Sequence, residues 1–151
     1  FYMARYGAIY WALPGMTHER GLAADKPLAP DGDTPFAGCG VFVFEHTKLP
    51  EAILRIDREG GILVAADALQ NWEAPNEYFD EPSRQLMTKM GFFQGGNFGP
   101  LWMQVNEPKA EDFRRLLALP FRHALCGHGS PLRDRAHEAF SARFASVFPP
   151  R

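Results

Sequence analysis

The sequence lacks the features that would place it in a specialised class of protein. It has only two cysteines, Cys39 and Cys126, too few for a disulfide framework, so we expect a reducing, cytoplasmic location. No apolar run approaches the roughly 18 residues of a membrane span, and no basic segment followed by an apolar one indicates a signal peptide. The formal net charge is −2, which gives no electrostatic reason to expect nucleic acid or a membrane as a partner.

Motifs for nucleophilic catalysis and phosphate binding are also missing. The chain contains no Gly-x-Ser-x-Gly, and neither cysteine has basic neighbours that would activate its thiol. The glycine-rich segment 91–99 does not join a predicted strand to a helix and carries no Lys-Ser or Lys-Thr pair. Catalysis by Ser or Cys and a phosphate-binding loop are therefore not supported.

The composition is that of an ordinary folded protein. Apolar residues make up 46% and charged residues 23%, and the 151 residues fit a single domain, 1–151. The chain opens at Phe1 inside an amphipathic pattern, typical of a helix that ends at Gly7. We therefore expect this domain to lack its N-terminal part.

The periodicity of apolar residues predicts an α/β protein with long connecting segments. Segments 40–45, 52–57 and 62–66 are predicted to form an antiparallel meander of strands. The other predicted strands are 8–13 and 121–126, the helices are 83–90, 109–119 and one opened by Ser130-Pro131, and the irregular segments are 16–38, 68–82 and 92–100.

Three polar residues lie where predicted strands run out. His46 follows the first strand of the meander, Asp67 follows Ala65-Ala66 at the end of the third, and His128 follows the strand over 121–126. In open α/β structures, ligands bind beyond the carboxyl ends of the strands. Two imidazoles and a carboxylate suit a divalent transition metal, so these residues are candidate metal ligands.

Each of these residues also has a purely structural interpretation. Gly127 and Gly129 allow a tight turn in which His128 is simply exposed. Asp67 follows an apolar strand and is typical of an N-cap for the next segment. A lone histidine at a strand edge, such as His46, is more often hydrogen-bonded within the fold than a ligand.

The order of the three segments resembles the metallo-β-lactamase superfamily. The matching segments are His46-Thr47, Gly61 to Leu69 around Asp67-Ala68-Leu69, and Gly127-His128-Gly129. The resemblance covers roughly residues 40–148 and implies an αββα sandwich, here without its N-terminal portion. The His-x-His-x-Asp-His cluster of that family is not in this sequence, and Ala66 stands where the family usually has Gly.

The resemblance implies metal-dependent hydrolysis. His46, Asp67 and His128 would bind one or two Zn²⁺ or Fe ions, with Asp67 and His128 as the catalytic residues. A metal-bound hydroxide would attack an unidentified small substrate, such as an ester, thioester, lactam or phosphoester. Because the histidine cluster is missing, we expect the chain by itself to bind metal weakly and to have little hydrolase activity.

Two other interpretations remain open at the level of sequence. In the first, the chain is a fold relative of that superfamily that has lost metal chemistry and serves as a binding or structural module. In the second, it is an α/β domain of another family in which Asp67 and His128 never meet. The departures at Ala66 and around His46 favour the first of these.

Overall fold

Three β-sheets and five helices make up the computed structural model of this chain, which describes residues 1–16, 18 and 20–150. In chain order the elements are α1 (Tyr2–Tyr6), β1 (Trp11–Ala12), β2 (Lys26–Pro27), β3 (Cys39–Val43), β4 (Ala52–Ile56), β5 (Ile62–Val64), β6 (Leu69–Trp72), α2 (Glu81–Lys89), β7 (Gln94–Phe98), α3 (Pro100–Asn106), α4 (Ala110–Leu117), β8 (His123–Leu125), β9 (His128–Gly129) and α5 (Ala136–Val147). The predicted mixed α/β class is confirmed.

The four-stranded sheet has the order β3-β4-β5-β8. Strands β3, β4 and β5 are antiparallel neighbours, as the predicted meander requires. Strand β8 joins the edge of β5 in a parallel direction, with Val64 opposite Leu125. Because β5 and β8 run in the same direction, the residues that follow them leave the sheet at the same edge.

The three-stranded sheet, β7-β6-β9, was not predicted. Segments 68–82 and 92–100 were expected to be irregular, but they contain β6 and β7. These strands are rich in glycine and amide side chains, which are depleted in strands and give no apolar alternation. Asn71 is buried and hydrogen-bonded instead: it donates to the carbonyl of Ser130 at 2.9 Å and accepts from Gly96 N at 3.0 Å.

The first and last predicted elements also differ from the structure. Only Trp11–Ala12 of the segment 8–13 forms a strand, and it pairs with Lys26–Pro27 inside the segment expected to be a long loop. The last helix begins at Ala136, so the start predicted at Ser130-Pro131 is wrong. Extended pairing replaces the expected first turns, since Leu132 and Ala124 exchange two backbone hydrogen bonds of 2.9 Å.

Aromatic residues hold the helices against both larger sheets. Phe113 of α4 stacks on Phe98 of β7 with 4.1 Å between ring centroids, and Phe140 of α5 lies parallel to Phe98 at 6.3 Å. Phe113 also contacts Phe44, just beyond β3, so one buried cluster spans both sheets and their helices. None of the helices that the structure describes has the length and apolar character needed to cross a bilayer.

Candidate functional site

Asp67 and His128 meet at the edge of the four-stranded sheet. Asp67 comes three residues after β5 and His128 three residues after β8, and these strands are parallel neighbours in register. His128 Nε2 lies 2.8 Å from Asp67 Oδ1, although the residues are 61 positions apart. The interpretation in which they never meet is therefore wrong. The Asp67 side chain is 63% exposed and that of His128 47%, so solvent or a ligand can reach both.

The glycines around His128 allow a close approach between backbones. A Cβ at Gly127 would lie 3.0 Å from the carbonyl oxygen of Ala66. Gly129 has a φ of +87° and pairs with Asn71, whose backbone oxygen a Cβ at Gly129 would overlap. Because neither glycine has a side chain, the backbone on both sides of His128 packs closely and places His128 beside Asp67. The imidazole ring of His128 lies parallel to the indole ring of Trp72, with 6.1 Å between centroids.

A cleft of about 690 Å³ extends from Asp67 and His128, and we call it the Trp102 cleft. Its walls are mainly apolar and are formed by residues including Leu49, Met87, Phe92, Leu101, Trp102 and Val105. The polar groups that line it are Glu51, Asp67, Gln70, Asn106 and His128. An apolar concavity with a few polar groups has the usual form of a small-molecule site, and its volume is in the usual range of about 300–1,000 Å³.

Two buried side chains that line this cleft each have one polar atom without a hydrogen-bond partner among the described residues. Gln70 is 3% exposed and its Oε1 is unpartnered, and Trp102 is 6% exposed with an unpartnered Nε1. Buried polar atoms are nearly always paired with protein, water or a ligand. The lining of the cleft therefore includes side chains whose polar groups the described residues leave unsatisfied.

Glu51 lines the same cleft, and the charge of Asp67 affects its pKa. Burial raises the pKa of the Glu51 carboxyl, and the negative charge of Asp67 raises it further. The backbone N–H of Ala68 opposes these effects with a 3.2 Å hydrogen bond to Oε1. The Trp102 indole N–H also lowers this pKa, although it does not reach hydrogen-bonding geometry. A carboxyl of raised pKa in a cleft is typical of functional sites.

His46 lies against a different group, the buried carboxylate of Asp112 on α4. His46 Nδ1 is 3.4 Å from Asp112 Oδ2, and the backbone N–H groups of Glu45 and His46 donate to the two oxygens of Asp112 at 3.0 and 2.9 Å. Arg115 donates to the same carboxylate at 2.7 Å and to the carbonyl of Val43 at 2.9 Å. His46 is thus part of the anchor that ties the end of β3 to α4.

The charge balance of this anchor favours an ionised Asp112. Burial by itself would raise the pKa of Asp112, but the hydrogen bonds from Arg115 and from the N–H groups of Glu45 and His46 outweigh it and lower the pKa. Within the described part of the chain, Glu45, His46 and Asp112 form the one group of three side chains close enough together to share a cation. Arg115 already occupies both of its carboxylates, with 2.7 Å contacts to Glu45 and Asp112, so this group does not need a metal.

Sequence reasoning identified Asp67 and His128, because each follows an apolar strand, and missed Glu51 and Gln70. These two gave weaker signals: Glu51 follows Pro50 directly before β4, and Gln70 lies in a segment with no clear periodicity. An acidic residue placed between two strands next to apolar neighbours is the signal that would have indicated Glu51.

Cys126 agrees with its prediction as an inert residue. Burial raises the pKa of its thiol to about 12, so the nucleophilic thiolate is not formed near neutral pH. The side chain is partly buried and packs against the core.

No protein family and no curated protein matches this chain.

Proposed function

We propose that the Trp102 cleft binds a small, mainly apolar molecule and that this chain acts as a binding module for it. The observation that carries the proposal is an apolar cleft of about 690 Å³ whose lining includes Trp102 and the buried Gln70, with its unpartnered Oε1. An apolar ligand would displace water from the walls, and a hydrogen-bond donor on it would suit Gln70 Oε1.

The test is binding of a neutral apolar fluorophore, N-phenyl-1-naphthylamine, to the chain and to two matched variants. Leu101→Gln changes a cleft residue that is 50% exposed, and Leu22→Gln changes a residue outside the cleft that is 47% exposed. Loss of one apolar contact should weaken binding about five-fold in Leu101→Gln. Leu22→Gln should bind as the unchanged chain does. Absence of saturable binding, or equal affinity of the two variants, would contradict the proposal.

Metal-dependent hydrolysis is the second candidate function, and the 2.8 Å contact between Asp67 and His128 favours it. An imidazole and a carboxylate are chemically suitable ligands for Zn²⁺ or Fe. A catalytic zinc site, however, usually has three protein ligands and an open position. His46, the expected third ligand, lies against Asp112, so the described residues do not complete the site. Hydrolysis of a small substrate would require further ligands in addition to Asp67 and His128.

The αββα sandwich of the metallo-β-lactamase superfamily belongs to this second proposal. Two mixed sheets that share one core with α4 and α5 are compatible with such an arrangement. The parallel β5–β8 pair brings Asp67 and His128 together. It thereby supports the resemblance to that superfamily, on which this second proposal depends.

A further inference from the structure

We propose that the Trp102 cleft selects molecules with an apolar body and a neutral or cationic head group that donates a hydrogen bond, and that it rejects organic anions. This inference rests on the proposed binding function and adds the chemical class of the ligand. It follows from the charges and the unpartnered atoms that line the cleft.

The formal charges in the cleft are unbalanced. Glu51 and Asp67 both line it, and none of its described lining residues is a Lys or Arg. Among these residues the one basic side chain is His128, and it is already in contact with Asp67 at 2.8 Å. An anionic head group would therefore enter a cleft whose described lining holds two carboxyl groups and no unpaired cation. In a partly desolvated site this repulsion is stronger than in water.

The two carboxyl groups already repel one another. Glu51 and Asp67 line the same cleft, so each additional negative charge there is unfavourable. A cationic head group would relieve this repulsion, and a neutral one would leave it unchanged. The difference in affinity between head groups should therefore follow their charge, in the order cation, neutral, anion.

The unpartnered oxygen of Gln70 bears on the hydrogen bonding of the head group. Gln70 Oε1 is an acceptor without a donor among the described residues, so a head group that donates a hydrogen bond suits it. A hydroxyl, an amide or a primary amine supplies such a donor, and the amine adds a positive charge. A carboxylate offers Gln70 no donor, which adds to its electrostatic disadvantage.

The test is competition of three probes of equal chain length, 1-octylamine, 1-octanol and octanoate, against N-phenyl-1-naphthylamine at pH 7.5. Octylamine and octanol should displace the fluorophore, and octanoate should need at least about ten-fold higher concentration than octanol. In Glu51→Gln, which keeps an oxygen for the Ala68 N–H, the ratio of the octanoate to the octanol concentration needed for displacement should fall toward one. High salt should narrow the differences between the probes in the unchanged chain.

The outcomes separate this inference from the proposed function. If the fluorophore binds and octanoate competes as well as octanol, the cleft binds small molecules but the selection by charge is overturned. If octanoate is disfavoured equally in the chain and in Glu51→Gln, the assignment of the selection to the acidic pair is overturned. If the fluorophore does not bind, the proposed function fails and this inference fails with it.

Discussion

The backbone N–H of His46 donates a 2.9 Å hydrogen bond to Oδ2 of the fully buried Asp112. The two residues are 66 positions apart, so this bond fixes the end of β3 against α4. The His46 ring also lies beside this carboxylate, with 3.4 Å between Nδ1 and Oδ2. The role of His46 in this structure is therefore that of a tether between sheet and helix.

Asp112→Asn should destabilise the fold. The amide keeps one acceptor but turns an N–H₂ group toward one of the backbone N–H donors, and it removes the charge that pairs with Arg115. A buried donor left without a partner costs about 1–3 kcal/mol, so we expect a loss of about 2 kcal/mol in the free energy of unfolding. Urea unfolding followed by circular dichroism measures it. Glu111→Gln, an equal charge change at the exposed neighbouring residue, is the control and should have little effect.

The same carboxylate predicts a loss of stability in acid. The pKa of Asp112 is lowered in the folded chain, so its contribution is complete above the value of about 3.9 for an unfolded aspartate. That contribution is lost as the pH falls through the folded pKa, because protons then bind the folded state. The difference in unfolding free energy between the chain and Asp112→Asn should therefore narrow between pH 5 and pH 2. A difference that stays constant over this range would argue against the ionised anchor.

Glu51→Gln should stabilise the fold, and the gain in the free energy of unfolding should grow as the pH rises. The pKa of Glu51 is raised in the folded chain, so the folded state holds its proton more tightly than the unfolded state does. Stability is complete below the unfolded value of about 4.3 and falls as the pH rises through the folded pKa. Since Gln never ionises, the variant should gain stability relative to the unchanged chain from pH 4 to pH 8, as measured by thermal unfolding. A gain of the same size at both ends of this range would contradict the raised pKa.

The sequence predicts those residues of the site that directly follow apolar strands. The runs before Asp67 and His128 are recognisable as strands, and in the structure the parallel pairing of β5 with β8 brings both residues to one edge of the sheet. The surroundings of His46 could not be predicted, because they depend on Asp112. Asp112 lies near the start of the helix predicted over 109–119, and nothing in its local sequence indicates that its side chain is buried.

The three-stranded sheet shows why the rest of the fold could not be predicted from the sequence. Its buried amides make hydrogen bonds, such as that from Asn97 Nδ2 to the carbonyl of Gly91 at 2.9 Å, and these polar positions interrupt the apolar pattern of the strands. Periodicity detects faces that bury carbon, so it cannot detect strands of Gly, Asn and Gln. The start of α5 was misplaced for a related reason, because the capping signal at Ser130-Pro131 competes with backbone pairing to Asn71 and Ala124.

Gly129→Ala should destabilise the chain far more than Gly91→Ala. Both glycines have a left-handed backbone, with φ of +87° and +79°. A Cβ at Gly91 meets nothing within 4 Å, whereas one at Gly129 overlaps the backbone of Asn71. We expect a cost of about 1 kcal/mol for Gly91→Ala from backbone strain alone, and about 3 kcal/mol or more for Gly129→Ala. Chemical unfolding of both variants measures the difference, and equal costs would mean that β9 does not pack on β6 as described.

Zinc titration measures how much of a metal site Asp67 and His128 form. Two protein ligands are fewer than the three or four of tight zinc sites, so calorimetry at pH 7.5 should give a dissociation constant weaker than about 1 μM. Asp67→Asn and His128→Ala should each weaken this binding further, because each removes half of the ligand set. His46→Ala should leave it unchanged, since His46 lies against Asp112. Submicromolar affinity would show that additional ligands complete the site, and loss of binding in His46→Ala would show that His46 is one of them.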